Sequence, residues 1–196
     1  MRAASRQISS SAKRCVGRER RIHLVQGEFH VTNDPAVMLT TLLGSCVAAC
    51  LRDPDLAIGG MNHFLLPGNE GDFEGGVGRD AERYGVHLME LLVNGLLRQG
   101  ARRERLEAKL FGGARTMEGL ADIGARNASF AERFLGHEGI RIVGGSLRGD
   151  QGRRIQYRPG SGRARQVFLA TDQIPLPQRD VPAPMPLADG GSVEFF

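Results

Sequence analysis

Cys46, His63 and Thr40 are the residues whose types and spacing suit chemistry in this chain. They lie in TTLLGSCVAACLRDPDLAIGGMNHFLLP, residues 40–67, where two apolar runs flank Asp53-Pro54-Asp55. That tripeptide is turn chemistry, and the pattern predicts a β-hairpin. With Pro54 and Asp55 as the turn residues, Cys46 falls directly opposite His63, where β-carbons stand about 5 Å apart. A free thiol with a pKa of about 8.5 is only a few per cent thiolate at neutral pH, so a nucleophilic cysteine needs a base or a cation beside it. An imidazolium at His63 would supply one. The expectation depends on register, because one bulge or a longer turn moves the two side chains apart.

Gly44 and Ser45 precede the thiol and extend the pattern. A glycine there lets a substrate approach the backbone, and the amides around Ser45 and Cys46 suit an oxyanion. Thr40, six residues upstream, is a candidate to orient His63 through its hydroxyl. Against these stand plainer roles: a cysteine in an apolar strand is usually a small core residue, and Cys50 is read that way. His23, His30 and His87 show no ligand spacing with each other or with the cysteines, so no metal or other cofactor is expected. Cys46 and Cys50, four apart in an extended strand, are too distant to form a disulfide.

The elements that must position these residues follow from periodicity. Alternation predicts strands over 21–31, 104–111, 140–143, 153–158 and 165–170, with antiparallel pairing at the C-terminal end. One helix is expected from a cap at Asp80, with Leu88, Met89, Leu92, Val93, Leu96 and Leu97 as its apolar face, to a stop at Gly100. A second is expected from Asn127, through Phe130, Ala131, Phe134 and Leu135, to Gly136; Arg126 and Asn127 also invite a substrate-binding role, but Asn127 is read as the helix cap. This mixed order implies a single α/β (α+β) layered domain over 21–171. Residues 1–20 read as a disordered basic tail and 172–196 as a proline-rich one. The loop Gly71–Gly78 suits either a cover over the site or an exposed connection.

Composition narrows the classes. The 196 residues carry a net charge of +4 with a pI near 9.4, yet the arginines are scattered and no nucleic-acid motif accompanies them, so nucleic acid is not the expected partner. Three cysteines cannot all pair. No secretory signal or membrane-length apolar run is present, and a reducing, cytoplasmic setting is expected.

The run LGSCVAACLRDPDLAIGGMNHFLLP, residues 43–67, resembles the signature of the chemoreceptor glutamine deamidase family, CheD. RLEAKLFGGA at 105–114, IGARN at 123–127 and GIRIVGGSLRGDQGRRIQYRPGSGR at 139–163 agree with it in the same order. The resemblance implies a protein-glutamine glutaminase on a layered α/β sandwich of the kind shared with bacterial toxin deamidases. It also implies Cys46, His63 and Thr40 as catalytic residues, chemoreceptor cytoplasmic helices as substrate, and a chemotaxis phosphatase as a possible second partner. The competing expectations are a non-catalytic chemotaxis adaptor and a cysteine protease or acyltransferase using the same dyad.

Overall fold

The computed structural model describes residues 19–66, 77–115 and 123–169. Most of the expected N-terminal tail, all of the C-terminal one and residues 71–76 of the glycine-rich loop lie outside the described residues. Among the described residues, nine strands and two α-helices make three layers. β1 (Arg20–His23), β3 (Val37–Leu43), β8 (Arg153–Arg158) and β9 (Arg163–Phe168) form a four-stranded sheet in the order β1-β3-β8-β9. β2 (Phe29–Thr32), β4 (Val47–Asp53), β5 (Ile58–Asn62), β6 (Glu107–Gly112) and β7 (Arg141–Leu147) form a second sheet in the order β2-β5-β4-β6-β7. Pairing is antiparallel except for β1 with β3 and β6 with β7.

Alternation along the strands builds two cores at once. From β4, Val47, Ala49 and Leu51 pack beneath the helices α1 (Val77–Arg98) and α2 (Ile123–His137). Ala48 and Cys50, from the opposite face of the same strand, meet Leu39, Leu43, Ile155 and Tyr157 of the four-stranded sheet. The layered α/β sandwich expected from the sequence is therefore the fold. A strand buried on both faces is apolar throughout, which is why 47–51 reads VAACL.

Several boundaries differ from expectation. The stretch 21–31 is two strands in different sheets, broken at residues 24–28. The helix expected to open at Asp80 begins at Val77. It closes as expected at Gly100, whose φ of 92° lets Ala101 N–H bond Leu96 O at 3.2 Å. The second helix starts at Ile123, so Asn127 lies inside it rather than capping it. That helix also runs through Gly136 and stops at Gly139, where a φ of 67° permits the same closure, Ile140 N–H to Leu135 O at 2.9 Å.

The hairpin register is the main correction. Asp53 pairs with Ile58 and Cys50 with Met61, so four residues, not two, make the turn. Asp53 has no exposed surface, and its carboxylate accepts Asp55 N–H at 3.1 Å, Arg102 N–H at 3.1 Å and the Arg105 guanidinium at 2.6 Å. Those bonds hold its carboxyl below the usual carboxylate range despite desolvation. They also keep it at the strand end, and Ala57 turns the chain back with a φ of 54°. Asp53→Ala should cost roughly 3 kcal/mol of unfolding free energy by stranding two amides and leaving Arg105 only its longer contact with Asp55. Urea titration would measure it, and a loss below about 1 kcal/mol would show that the turn holds without this carboxylate.

Candidate active site

Residues 40–53 do not form one strand of a hairpin. The chain leaves the four-stranded sheet at Leu43, turns through Gly44, Ser45 and Cys46, and enters the five-stranded sheet at Val47. The thiol thus sits at the corner where the chain changes sheets. All three corner carbonyls are bonded: Gly44 O accepts Ala114 N–H at 2.9 Å, Ser45 O accepts the Asn127 side-chain amide at 2.9 Å, and Cys46 O accepts Gly113 N–H at 2.8 Å. In a trans peptide the N–H points away from its carbonyl, so these bonds turn the Ser45 and Cys46 N–H groups away from β6 and α2. Gly112 has to be glycine here, because at its φ of 105° a β-carbon would lie 2.1 Å from Cys46 O.

Asn127 braces the corner to the strand that carries the histidine. Its Nδ2 donates to Ser45 O while its Oδ1 accepts Leu66 N–H at 2.9 Å. Val47 and Phe64 exchange both backbone bonds at 2.9 Å beside it. Cys46 and His63 therefore flank that pair as diagonal neighbours on one face, about 7–8 Å apart at the backbone by ladder geometry, and not directly opposite. The shift from the expected register is two residues, which preserves the face. Met61 and Cys46 both pack into the inter-sheet core, and His63, two residues after Met61, follows it.

The hydroxyl behind His63 comes from Thr41. Thr41 Oγ1 lies 2.8 Å from His63 Nδ1 and 2.8 Å from Leu24 O. Thr40, the expected residue, is half-buried and belongs to the other face of β3 by alternation. A carbonyl only accepts, so the single hydroxyl proton goes to Leu24 and Nδ1–H must donate to Oγ1. In neutral His63 the lone pair is then on Nε2, which is buried and has no hydrogen-bond partner. The segment between β1 and β2 closes around the ring: His63 N–H bonds Glu28 O at 3.0 Å and Gly27 N–H bonds His63 O at 2.8 Å. Gln26 of the same segment sets its side-chain carbonyl oxygen 3.9 Å from Cys46 Sγ.

The electrostatics favour neutral partners at rest. Burial pushes the Cys46 thiol up to about 11, partly offset by its own backbone N–H. Burial likewise brings His63 down to about 4, against the raising effect of the Leu24 carbonyl. In place of the imidazolium–thiolate pair expected from the sequence, burial favours a neutral thiol and a neutral imidazole, with no hydrogen bond between Cys46 Sγ and His63 Nε2. Cys50 is fully buried between the sheets, its thiol pushed far up by desolvation, in keeping with a packing role. Thr41, Gln26 and the Leu24 carbonyl were not singled out as parts of a site by sequence reasoning. Only Thr41 carried a local signal, since it shares the inward parity of Leu39 and Leu43.

A family model described as CheD chemotactic sensory transduction matches residues 65–167. A protein of Sinorhizobium medicae (strain WSM419) named "Probable chemoreceptor glutamine deamidase CheD" is 59% identical over 181 residues, covering 90% of this chain and 96% of that protein. One of the same name from Acidiphilium cryptum (strain JF-5) is 61% identical over 182 residues, covering 90% and 94%. Among solved structures, Neisseria meningitidis protein NMB0706 aligns with a TM-score of 0.40 at 12% identity, covering 70% of this chain and 61% of that one.

Two measurements check the site's construction. The folded His63 takes a proton only near pH 4, whereas the unfolded chain's takes it near 6.5. Stability from this group is therefore complete above about pH 6.5 and is lost as pH falls toward 4, by roughly 3 kcal/mol. His63→Gln should flatten that part of a pH series of urea unfolding; an unchanged slope would mean the imidazole is not held neutral. Asn127→Asp replaces the donor to Ser45 O by an acceptor, and should loosen the corner enough to expose residues 44–46 to faster amide exchange.

Proposed function

The chain belongs to the CheD family, and from that membership together with the site's geometry we propose that it is a cytoplasmic protein-glutamine deamidase acting on chemoreceptors, with Cys46 as nucleophile and His63 as base. The observation that carries the chemistry is the buried, unpartnered lone pair at His63 Nε2, on a residue that register makes the diagonal neighbour of Cys46. An imidazole that is neutral at rest has its lone pair free to accept the thiol proton as sulfur attacks. The Gln26 oxygen against the sulfur supports the substrate class, since a primary carboxamide fits there.

In the first half-reaction, Nε2 accepts the Cys46 proton as sulfur attacks the amide carbon of a receptor glutamine. The Ser45 and Cys46 N–H groups, turned from their bonded carbonyls, suit the oxyanion. The imidazolium then protonates the departing nitrogen, and ammonia leaves a thioester. In the second half-reaction His63 takes a proton from water, hydroxide adds to the thioester, and glutamate and the thiol are restored. Thr41 supports the transient imidazolium by accepting Nδ1–H while tied to Leu24 O. No described helix is long and apolar enough to cross a membrane, in keeping with a substrate met on the receptor's cytoplasmic part. A chemotaxis phosphatase as second partner is carried by the resemblance alone.

Incubation with a purified receptor cytoplasmic fragment should release ammonia and raise the fragment's mass by about one dalton per event, with peptide mapping to glutamine. Cys46→Ala should abolish this and Cys50→Ala should not; turnover by a folded Cys46→Ala protein would sink the mechanism, and an unchanged substrate with the wild type would favour the adaptor. His63→Ala should slow turnover at least about a hundredfold. Thr41→Val should slow it at least about tenfold, with Thr41→Ser restoring it, while Thr40→Val stays near wild type. The reverse result would return the orienting role to Thr40. Alkylation of Cys46 should have its midpoint near 11, well above the ~8.5 of a free cysteine.

A further inference from the structure

The outer face of the four-stranded sheet takes no part in either core. Leu39, Leu43, Ile155 and Tyr157 point inward to the other sheet, so the residues alternating with them point outward. Register sets His23, Thr40, Gln156 and Arg165 in one row across all four strands, and Leu42, Arg154 and Val167 in the next. A third row starts with Arg21 and Met38 and ends with Arg158 and Arg163.

This face gathers cations, three of them with no carboxylate partner among the described residues. The four strands contain no aspartate or glutamate. Glu19, just before β1, bonds both Arg21 and Arg158. Arg154, Arg163 and Arg165 are exposed and have no ion pair among the described residues. On the helical side, by contrast, Arg133 pairs with Glu82 and Arg148 with Glu132. The arginines flank a neutral stripe of Met38, Thr40 and Leu42 on β3, and a concavity of about 550 Å³ opens among Met38, Gln156, Arg158, Arg163 and Arg165. β3 runs directly into the Gly44–Cys46 corner, so this face shares an edge with the thiol.

We propose that this face docks the carboxylate-rich helical surface of the receptor that bears the target glutamine, an inference that rests on the deamidase reading of Cys46. Planar guanidinium forks suit paired carboxylates, and a neutral, partly apolar centre with a charged rim is the anatomy of a protein interface. A nucleic-acid surface binds through phosphate charge and has no use for the Met38–Leu42 stripe. Docking here steers the receptor by charge and brings its helix to the edge where the thiol lies.

The test is the full-length R154Q/R163Q/R165Q variant, assayed on a receptor cytoplasmic fragment and on a short uncharged glutamine peptide at low and high salt. Turnover of the peptide should be unchanged. On the receptor fragment KM should rise at least about tenfold at low salt with kcat unchanged, and the wild type's salt dependence should flatten. Receptor kinetics equal to wild type at both salts would overturn the proposal, as would arginine-dependent binding of duplex DNA with receptor kinetics intact. If the wild type turns over neither substrate, the deamidase reading falls instead. Docking is then read from fragment binding to the Cys46→Ala protein: loss on removing the three arginines upholds it, and unchanged affinity overturns it.

Discussion

The Thr41 hydroxyl has one proton, and it goes to the Leu24 carbonyl 2.8 Å away. From that commitment the state of the site follows. His63 Nδ1 must donate to Thr41, the lone pair must lie on Nε2, and burial keeps the ring neutral to about pH 4. Reversing the hydrogen bond would require Leu24 O to lose its donor inside the protein, which costs more than the bond itself is worth. One buried carbonyl on the segment between β1 and β2 thereby selects the tautomer of a histidine after β5.

The corner at Gly44–Cys46 answers a different demand. A chain that leaves one sheet and enters another must satisfy its backbone groups without a ladder on either side. Here Gly113, Ala114 and Asn127 provide the donors, two of them from the end of β6 and one from within α2. Because every corner carbonyl is held, the thiol is positioned by backbone rather than by side-chain packing. The intervening N–H groups are also left turned away from β6 and α2. The close approach of Gly112 to Cys46 O belongs to the same construction.

Charge is distributed by layer. On the helical side, Arg133 pairs with Glu82 and Arg148 with Glu132. Arg153, although an arginine of β8, points inward and is 1% exposed, its guanidinium held by Ser146 O at 2.6 Å and set over the Phe168 ring at 5.3 Å. Arg154, Arg163 and Arg165, outward-pointing on the four-stranded sheet, have no ion pair among the described residues. The modest net charge of +4 therefore understates the field at that one face.

Read alone, the sequence determined the layered α/β class, the apolar faces of both helices, the close at Gly100, and Cys46 with His63 as the residues to watch. Each of these rests on local periodicity, on a glycine at a helix end, or on a motif, all of which survive without knowledge of distant contacts. The stretch 40–53 was legible as extended and buried but not as a corner, because Leu43 and Val47 are equally apolar on either side of a change of sheet. The turn after Asp53 was misread by two residues, because Arg102 and Arg105, some fifty positions away, hold that carboxylate at the strand end. Asn127 looked like a helix cap, since an asparagine before an apolar run is the usual signal; only the fold shows it between Ser45 and Leu66. Thr40 and Thr41 cannot be told apart by type. The choice between them depends on which face of β3 meets the second sheet, and with it on Leu24, so tertiary structure alone decided which hydroxyl bonds His63.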